Sequence, residues 1–153
     1  MSLVDECLRY WDSIRGQRPA PCREDFDPTD IPRLLANVVL LDVVDGGSDF
    51  RFRVIGEAVR CASFGNHTGK LLVSLPHITQ DGPLLGTLRS AVTSRAPVRS
   101  PVPYEGPRKE IVLRDHLVLP FVGEDDAVSH LLLVVDLIDT RARPPARRAV
   151  SAA

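Results

Sequence analysis

The stretch from 128 to 139 contains Leu131 to Val135, a continuous apolar run that reads L-L-L-V-V. A half-solvated strand alternates polar and apolar residues, so an uninterrupted run of this length predicts a central strand covered on both faces. Such a strand needs two covering layers, and the remainder of the chain must supply both. At 153 residues and 16.8 kDa the chain is long enough for one domain with a real core, and two full domains would be a squeeze.

The elements predicted around that strand fit this demand. Leu3, Val4, Cys7, Leu8, Trp11 and Ile14 recur at helical spacing, with a capping signal in Ser2 and Asp5 and a stop at Gly16, so an amphipathic helix is expected over 3–15. The proline-rich bridge that follows contains Asp27-Pro28 and Asp30-Ile31-Pro32, which suggest one or two short helical turns opened by capping Asp residues. From Val38 to Val44, then a turn at Asp45 to Asp49, then F-R-F-R-V-I, the pattern is a β-hairpin with Phe50, Phe52 and Val54 on one face. A short helix fits 57–64, a turn fits 65–69, and a second main helix fits 83–95 behind Pro83. Strand-like runs at 98–104, 110–122 and 128–139 complete the order.

Charge and composition remove several function classes. Nineteen Lys and Arg against 20 Asp and Glu leave a formal charge of −1, which provides no field for gathering nucleic acid or acidic membrane. The segment 140–153 holds Arg141, Arg143, Arg147 and Arg148 and no acid; it is expected to be a basic, disordered tail, leaving residues 1–139 as the single domain with a charge of −5. No apolar run reaches the ~18 residues of a membrane span, and Asp5 and Glu6 stand where a secretory leader carries positive charge. Cys7, Cys22 and Cys61 are odd in number and lack C-x-x-C spacing, which suits free thiols in a reducing, cytoplasmic compartment and excludes a zinc ribbon.

The chemistry-bearing residues are sparse. Gly65 to Lys70 superficially resembles a phosphate loop, but the glycine spacing is one short and Leu71 stands where the Mg²⁺-binding hydroxyl belongs. His67, His77, His116 and His130 show no H-E-x-x-H and no i, i+4 pair, so no metal site is expected. His116 lies mid-strand; it is either a residue of a partly solvated sheet face or a hydrogen-bonding contact for a bound ligand. Arg51 and Arg53 share a face and serve either as the water-facing side of the hairpin or as a fork for a carboxylate. Asp115 and His116 point to opposite faces of their strand, and Ser63, Ser74 and Ser129 lack a G-x-S-x-G elbow, so no catalytic set is expected. The stripe Leu3, Val4, Cys7, Leu8, Trp11 and Ile14 can dock on its own sheet or form a homodimer interface anchored by Trp11.

Several longer stretches carry a resemblance. Tyr10 to Gly16 (Y-W-D-S-I-R-G), Asp25 to Leu35 (D-F-D-P-T-D-I-P-R-L-L) and Phe50 to Val59 (F-R-F-R-V-I-G-E-A-V) resemble the small stand-alone PAS proteins of bacteria, as do Phe64 to Lys70 and Leu117 to Phe121. The likeness spans roughly residues 8 to 138, with one departure: His67 replaces the acidic residue expected before Thr68-Gly69. It implies an α+β fold: a five-stranded antiparallel sheet in order 2-1-5-4-3, helices on one face and the N-terminal helix on the other. It also implies a ligand cavity, expected to be lined by Phe52, Val54, Phe64, Leu88, Val92, Leu117, Leu119, Leu133 and Val135, with Arg53 or His116 as polar contacts. Cys61 follows the second strand where some PAS relatives place a flavin-reactive cysteine, but V-R-C-A-S-F is unlike their N-C-R-F-L-Q stretch. Haem-binding relatives use a histidine on the covering helix, and 83–95 has none, although His77 lies just upstream. The cofactor is therefore unknown. The function expected is a non-catalytic sensory or regulatory module that binds a small molecule, a partner protein, or both. A ligand-free dimerisation module, or a small enzyme without a recognisable motif, are the alternatives.

Overall fold

The computed structural model describes residues 2–62, 65–76, 78–99, 108 and 110–141. Helix α1 spans Leu3–Arg15. The hydroxyl of Ser2 accepts the Asp5 N–H at 3.1 Å and donates to the Asp5 carboxylate at 2.8 Å, closing the first turn. Asp5 and Glu6 at the start and Arg15 at the end match the helix dipole, and the glycine at Gly16 adopts φ 62° to end the helix. Val4, Cys7 and Trp11, spaced by three and four, form its buried stripe.

The bridge after α1 forms 3-10 turns at Arg23–Asp25, Pro28–Asp30 and Leu35–Asn37. Asp27 caps the second turn by accepting the Thr29 N–H at 3.0 Å, whereas Asp30 ends that turn and accepts the Tyr10 hydroxyl at 3.0 Å. One expected Asp cap is thus a cap and the other a tether between the bridge and α1.

Strands β1 (Val38–Val44), β2 (Asp49–Ile55), β3 (Val98–Arg99), β4 (Ile111–Val122) and β5 (Val128–Asp139) form one antiparallel sheet in the order β2-β1-β5-β4-β3. The apolar run of β5 lies between β1 and β4, and Leu131 to Val135 are all 9% exposed or less. The covering layers are α1 with its bridge on one face, and α2 (Glu57–Ala62) with α3 (Pro83–Ser94) on the other. The outer edge of β4 near Val122 is closed by Cys22, and the outer edge of β2 at Arg51 by Leu71, so neither offers a free ladder there.

Parts of three expected segments lie outside the described residues. The strand expected over 98–104 is described only as Val98–Arg99, the rest lying outside the described residues, as do residues 63–64 of the helix expected over 57–64. The tail beyond Arg141, and with it the expectation of disorder, also lies outside them. In the hairpin, Leu40 opposes Val54 but Leu41 opposes Phe52, which makes Arg53 an extra residue in β2. This bulge breaks strict alternation, so Val54 leaves the face of Phe50 and Phe52 and is 49% exposed.

Gly56, directly after β2, passes against the backbone of Leu35 and Ala36, and a Cβ there would collide with both carbonyl oxygens. Those atoms belong to the chain that enters β1 and cannot rotate aside. Gly56→Ala is expected to destabilise the fold by about 1–3 kcal/mol, measured by urea unfolding, whereas Gly86→Ala on open helix surface should be neutral or mildly stabilising.

Candidate functional site

Strand register determines which side chains share a face, because directly paired residues project the same way. On one face lie Val38 and Leu40 of β1, Leu132 and Val134 of β5, and Leu117 and Leu119 of β4. This is the α1 side: Arg99, paired with Leu117, reaches the Asp5 carboxylate of α1 at 2.7 Å, and Phe121 packs on Phe26 of the bridge at 5.6 Å between ring centroids. On the opposite, helix-covered face lie Val39 and Leu41, Leu131, Leu133 and Val135, and His116 with Val118. Leu85, Leu88 and Ala91 are the buried side of α3, which packs against β4 and β5.

His116 is the outlier of this second face. It is paired with Val135, with Val118 and Leu133 one step along, and is 1% exposed. Both ring nitrogens are buried and neither has a hydrogen-bond partner among the described residues. Burial pushes its pKa down to about 4, with Asp115 opposing only weakly, so the ring is neutral at physiological pH. A neutral imidazole carries one N–H donor and one acceptor lone pair, and here neither is engaged by a described residue. The Asp115 carboxylate points to the α1 face, where Arg99 holds it at 2.6 Å and keeps its pKa below the usual range.

The residues proposed from sequence as a cavity lining divide between locations. Phe52, Leu88, Leu133, Val135 and His116 share the helix-covered side. Leu117 and Leu119 face α1 instead, Val54 is displaced by the bulge, and Phe64 lies outside the described residues. Val92 contacts the Gly47 position and lines a surface cleft of about 440 Å³ with Gly46, Thr93, Arg95 and Asp126 at the hairpin end of the sheet. Arg53 forms a two-pronged ion pair with Asp42, Nε to Oδ1 at 2.7 Å and Nη2 to Oδ2 at 2.9 Å. Of the α1 stripe, Val4, Cys7 and Trp11 are buried on the chain's own sheet, while Leu3, Leu8 and Ile14 pack against that core only partly covered. Cys61 is exposed, with its thiol 3.7 Å from the Glu57 carboxylate.

A cluster that sequence reasoning missed surrounds Asp42. His130 Nε2 lies 3.2 Å from the Asp42 Oδ1, and its Nδ1 lies 2.8 Å from the Ser129 hydroxyl. A neutral ring satisfies both contacts if Nε2 carries the proton and Nδ1 accepts from the hydroxyl. The types Ser, His and Asp are those of a hydrolytic triad, but Arg53 already occupies both carboxylate oxygens and so diminishes the negative charge that would support an imidazolium. Burial lowers the His130 pKa; Asp42 opposes this, and Arg23 and Arg53 reinforce it. The β1–β5 register brings the two together, pairing Asp42 with His130 where the apolar run preceding one lies antiparallel on the run following the other.

Among the described residues, no group of three or more His, Cys, Asp or Glu is arranged to hold a metal ion, and no helix is long and apolar enough to cross a membrane. No curated protein matches the chain. Among solved structures, the crystal structure of a sensory box sensor histidine kinase from Vibrio cholerae is similar, with a TM-score of 0.51 at 18% identity, covering 72% of this chain and 89% of that one. At that identity the likeness speaks for the fold, and it agrees with the five-stranded sheet and its helical cover. The family model described as a PAS domain matches residues 2–135, which is nearly everything from the capping serine to the end of the buried run in β5. The chain belongs to the PAS-domain family.

Proposed function

We propose that this PAS domain is a non-catalytic sensory module of the bacterial cytoplasm that binds a small molecule between its helical layer and the sheet, and relays occupancy to a partner protein. The observation that carries this reading is His116, a fully buried imidazole with neither nitrogen hydrogen-bonded by a described residue, sharing its sheet face with Val118, Leu133 and Val135. Buried polar groups are nearly always paired, so an orphaned donor and acceptor are the mark of a position completed by something else. Phe52, Leu88, Leu133 and Val135 supply the apolar wall of the proposed site, and Val92, Leu117, Leu119, Val54, Phe64 and Arg53 fall outside it or lack a described position. The −5 charge of residues 1–139 argues against nucleic acid as the partner.

Relay through α1 is favoured by its attachments. Its buried stripe rests on the sheet, and Arg99 joins Asp5 of α1 to Asp115, the residue next to His116. Movement of β4 at His116 therefore acts on the same ion-pair cluster that holds α1. A second reading, an interaction module that works without ligand, rests on the half-covered Leu3, Leu8 and Ile14, which a homodimer would bury.

Native mass spectrometry of the protein purified from its own host tests the choice, followed by release and identification of any retained molecule. A retained small molecule that raises the melting temperature on re-addition is expected, the stabilisation reaching about 2.7 kcal/mol at a hundredfold excess over its Kd. A protein that emerges empty and gains no stability across a metabolite panel, yet dimerises, would replace the sensory reading with the interaction one.

A further inference from the structure

The proposed ligand site has a chemical bias, and the inference that follows rests on the sensory reading above. Along the helix-covered face, the central strands present Val39, Leu41, Leu131, Leu133, Val135 and Val118, and His116 alone among them carries polar side-chain atoms. Three of the arginines near this layer are committed elsewhere. Arg89 donates to the carbonyl oxygens of Gly47 and Ser48 at 3.0 and 2.9 Å, and Arg108 donates to the Glu110 carboxylate at 2.6 Å and to the Cys61 carbonyl at 3.3 Å. Arg60 pairs with Glu57 at 3.2 Å. The acid nearest in sequence, Asp115, lies on the other face and is held by Arg99.

We infer that the site selects an electrically neutral, largely apolar molecule bearing a hydroxyl or carbonyl group, which hydrogen-bonds to the His116 ring, and that it rejects the corresponding anion. The argument is one of charge and pairing. An anion brought to this face would lose its hydration, and no described residue of the face carries a guanidinium or ammonium to replace it, a penalty far larger than one hydrogen bond recovers. A cation would lack a carboxylate in the same way. An alcohol or phenol donates to the unprotonated ring nitrogen, and a carbonyl accepts from the protonated one, so either satisfies an atom that is now orphaned. A pure hydrocarbon leaves both nitrogens unpaired. Selectivity of this kind arises from the polar group left stranded rather than from shape.

The test uses three probes of nearly equal size on the full-length protein at pH 7.5: 2-naphthol, 2-methylnaphthalene and the anion 2-naphthoate. Affinity is measured by calorimetry, and the His116 ring nitrogens are followed by ¹⁵N NMR. The expected result is binding of 2-naphthol with a shift of one His116 ring nitrogen, binding of 2-methylnaphthalene about tenfold weaker without that shift, and no detectable binding of 2-naphthoate. His116→Leu should fold at least as stably as the wild type, because it removes an unpaired buried polar group, and should bind 2-naphthol and 2-methylnaphthalene equally. If 2-naphthoate binds as tightly as 2-naphthol, the inference about charge is overturned while the ligand-binding reading stands. If none of the three binds, or if 2-naphthol binds without moving a His116 nitrogen, both fail at this site.

Discussion

Trp11→Ala is expected to lower stability by about 3–5 kcal/mol, a melting-temperature drop of roughly 10 °C. Trp11 is 3% exposed, packs in the cover formed by α1, and donates its indole N–H to the Pro120 carbonyl at 2.9 Å across 109 residues of chain. Truncation removes the largest side chain of the α1 stripe, opens a void between helix and sheet, and removes the indole donor to that carbonyl. As the single tryptophan, Trp11 also reports on its own docking: its fluorescence follows α1, while circular dichroism in the far ultraviolet follows the whole fold. If α1 is integral to the core, both signals unfold together in urea and the midpoint does not move with protein concentration. A midpoint rising with concentration would mean that the helix docks on a second copy. A fluorescence transition well below the far-ultraviolet one would mean that α1 releases first, as a relay element should.

The architecture was legible because its central strand has an unmistakable pattern. Leu131 to Val135 could be satisfied only between two layers, and α1 and α3 were the amphipathic stretches able to supply them. Ser2, Gly16 and Pro83 then marked helix boundaries by chemistry that acts within a few residues. The site was less legible because it depends on which way β4 faces. From His116 to Val122 every residue of β4 is buried, so alternation offers no phase from which to count, and Leu117 and Leu119 look as eligible for the helix-covered face as His116 does. A second register shift, between Leu113 and Asp115, prevents the phase from being carried in from the exposed end of the strand. Arg53 escaped for the same reason: a bulge is a relation between two strands and leaves no mark in one. The Ser129–His130–Asp42 chain required the β1–β5 register, which local pattern does not contain.

Acid should weaken this protein earlier than its carboxylates can explain, and His116 is the reason. In the unfolded chain its imidazole titrates near 6.5, while in the folded protein burial holds the pKa to about 4. The unfolded state therefore takes up a proton that the folded state refuses, and stability that is intact above pH 6.5 falls as the pH drops, levelling below 4. The difference corresponds to about 3 kcal/mol. Asp5 and Asp115, whose ion pairs with Arg99 lower their pKa values, contribute losses only at and below the ordinary carboxylate value of 3.8. The interval from pH 6.5 to about 4.5 thus belongs to imidazoles. Burial lowers the His130 pKa as well, which acts in the same direction, but its side chain is less buried and its two ring nitrogens are already engaged, so its share is smaller. Urea unfolding across pH 4.5–7.5 should give a steep slope for the wild type and a shallow one for His116→Leu, with the variant more stable than wild type at the acid end. Equal slopes in the two proteins would mean that water reaches the His116 ring. An open ring of that kind would remove the orphaned donor and acceptor on which the proposed ligand site depends.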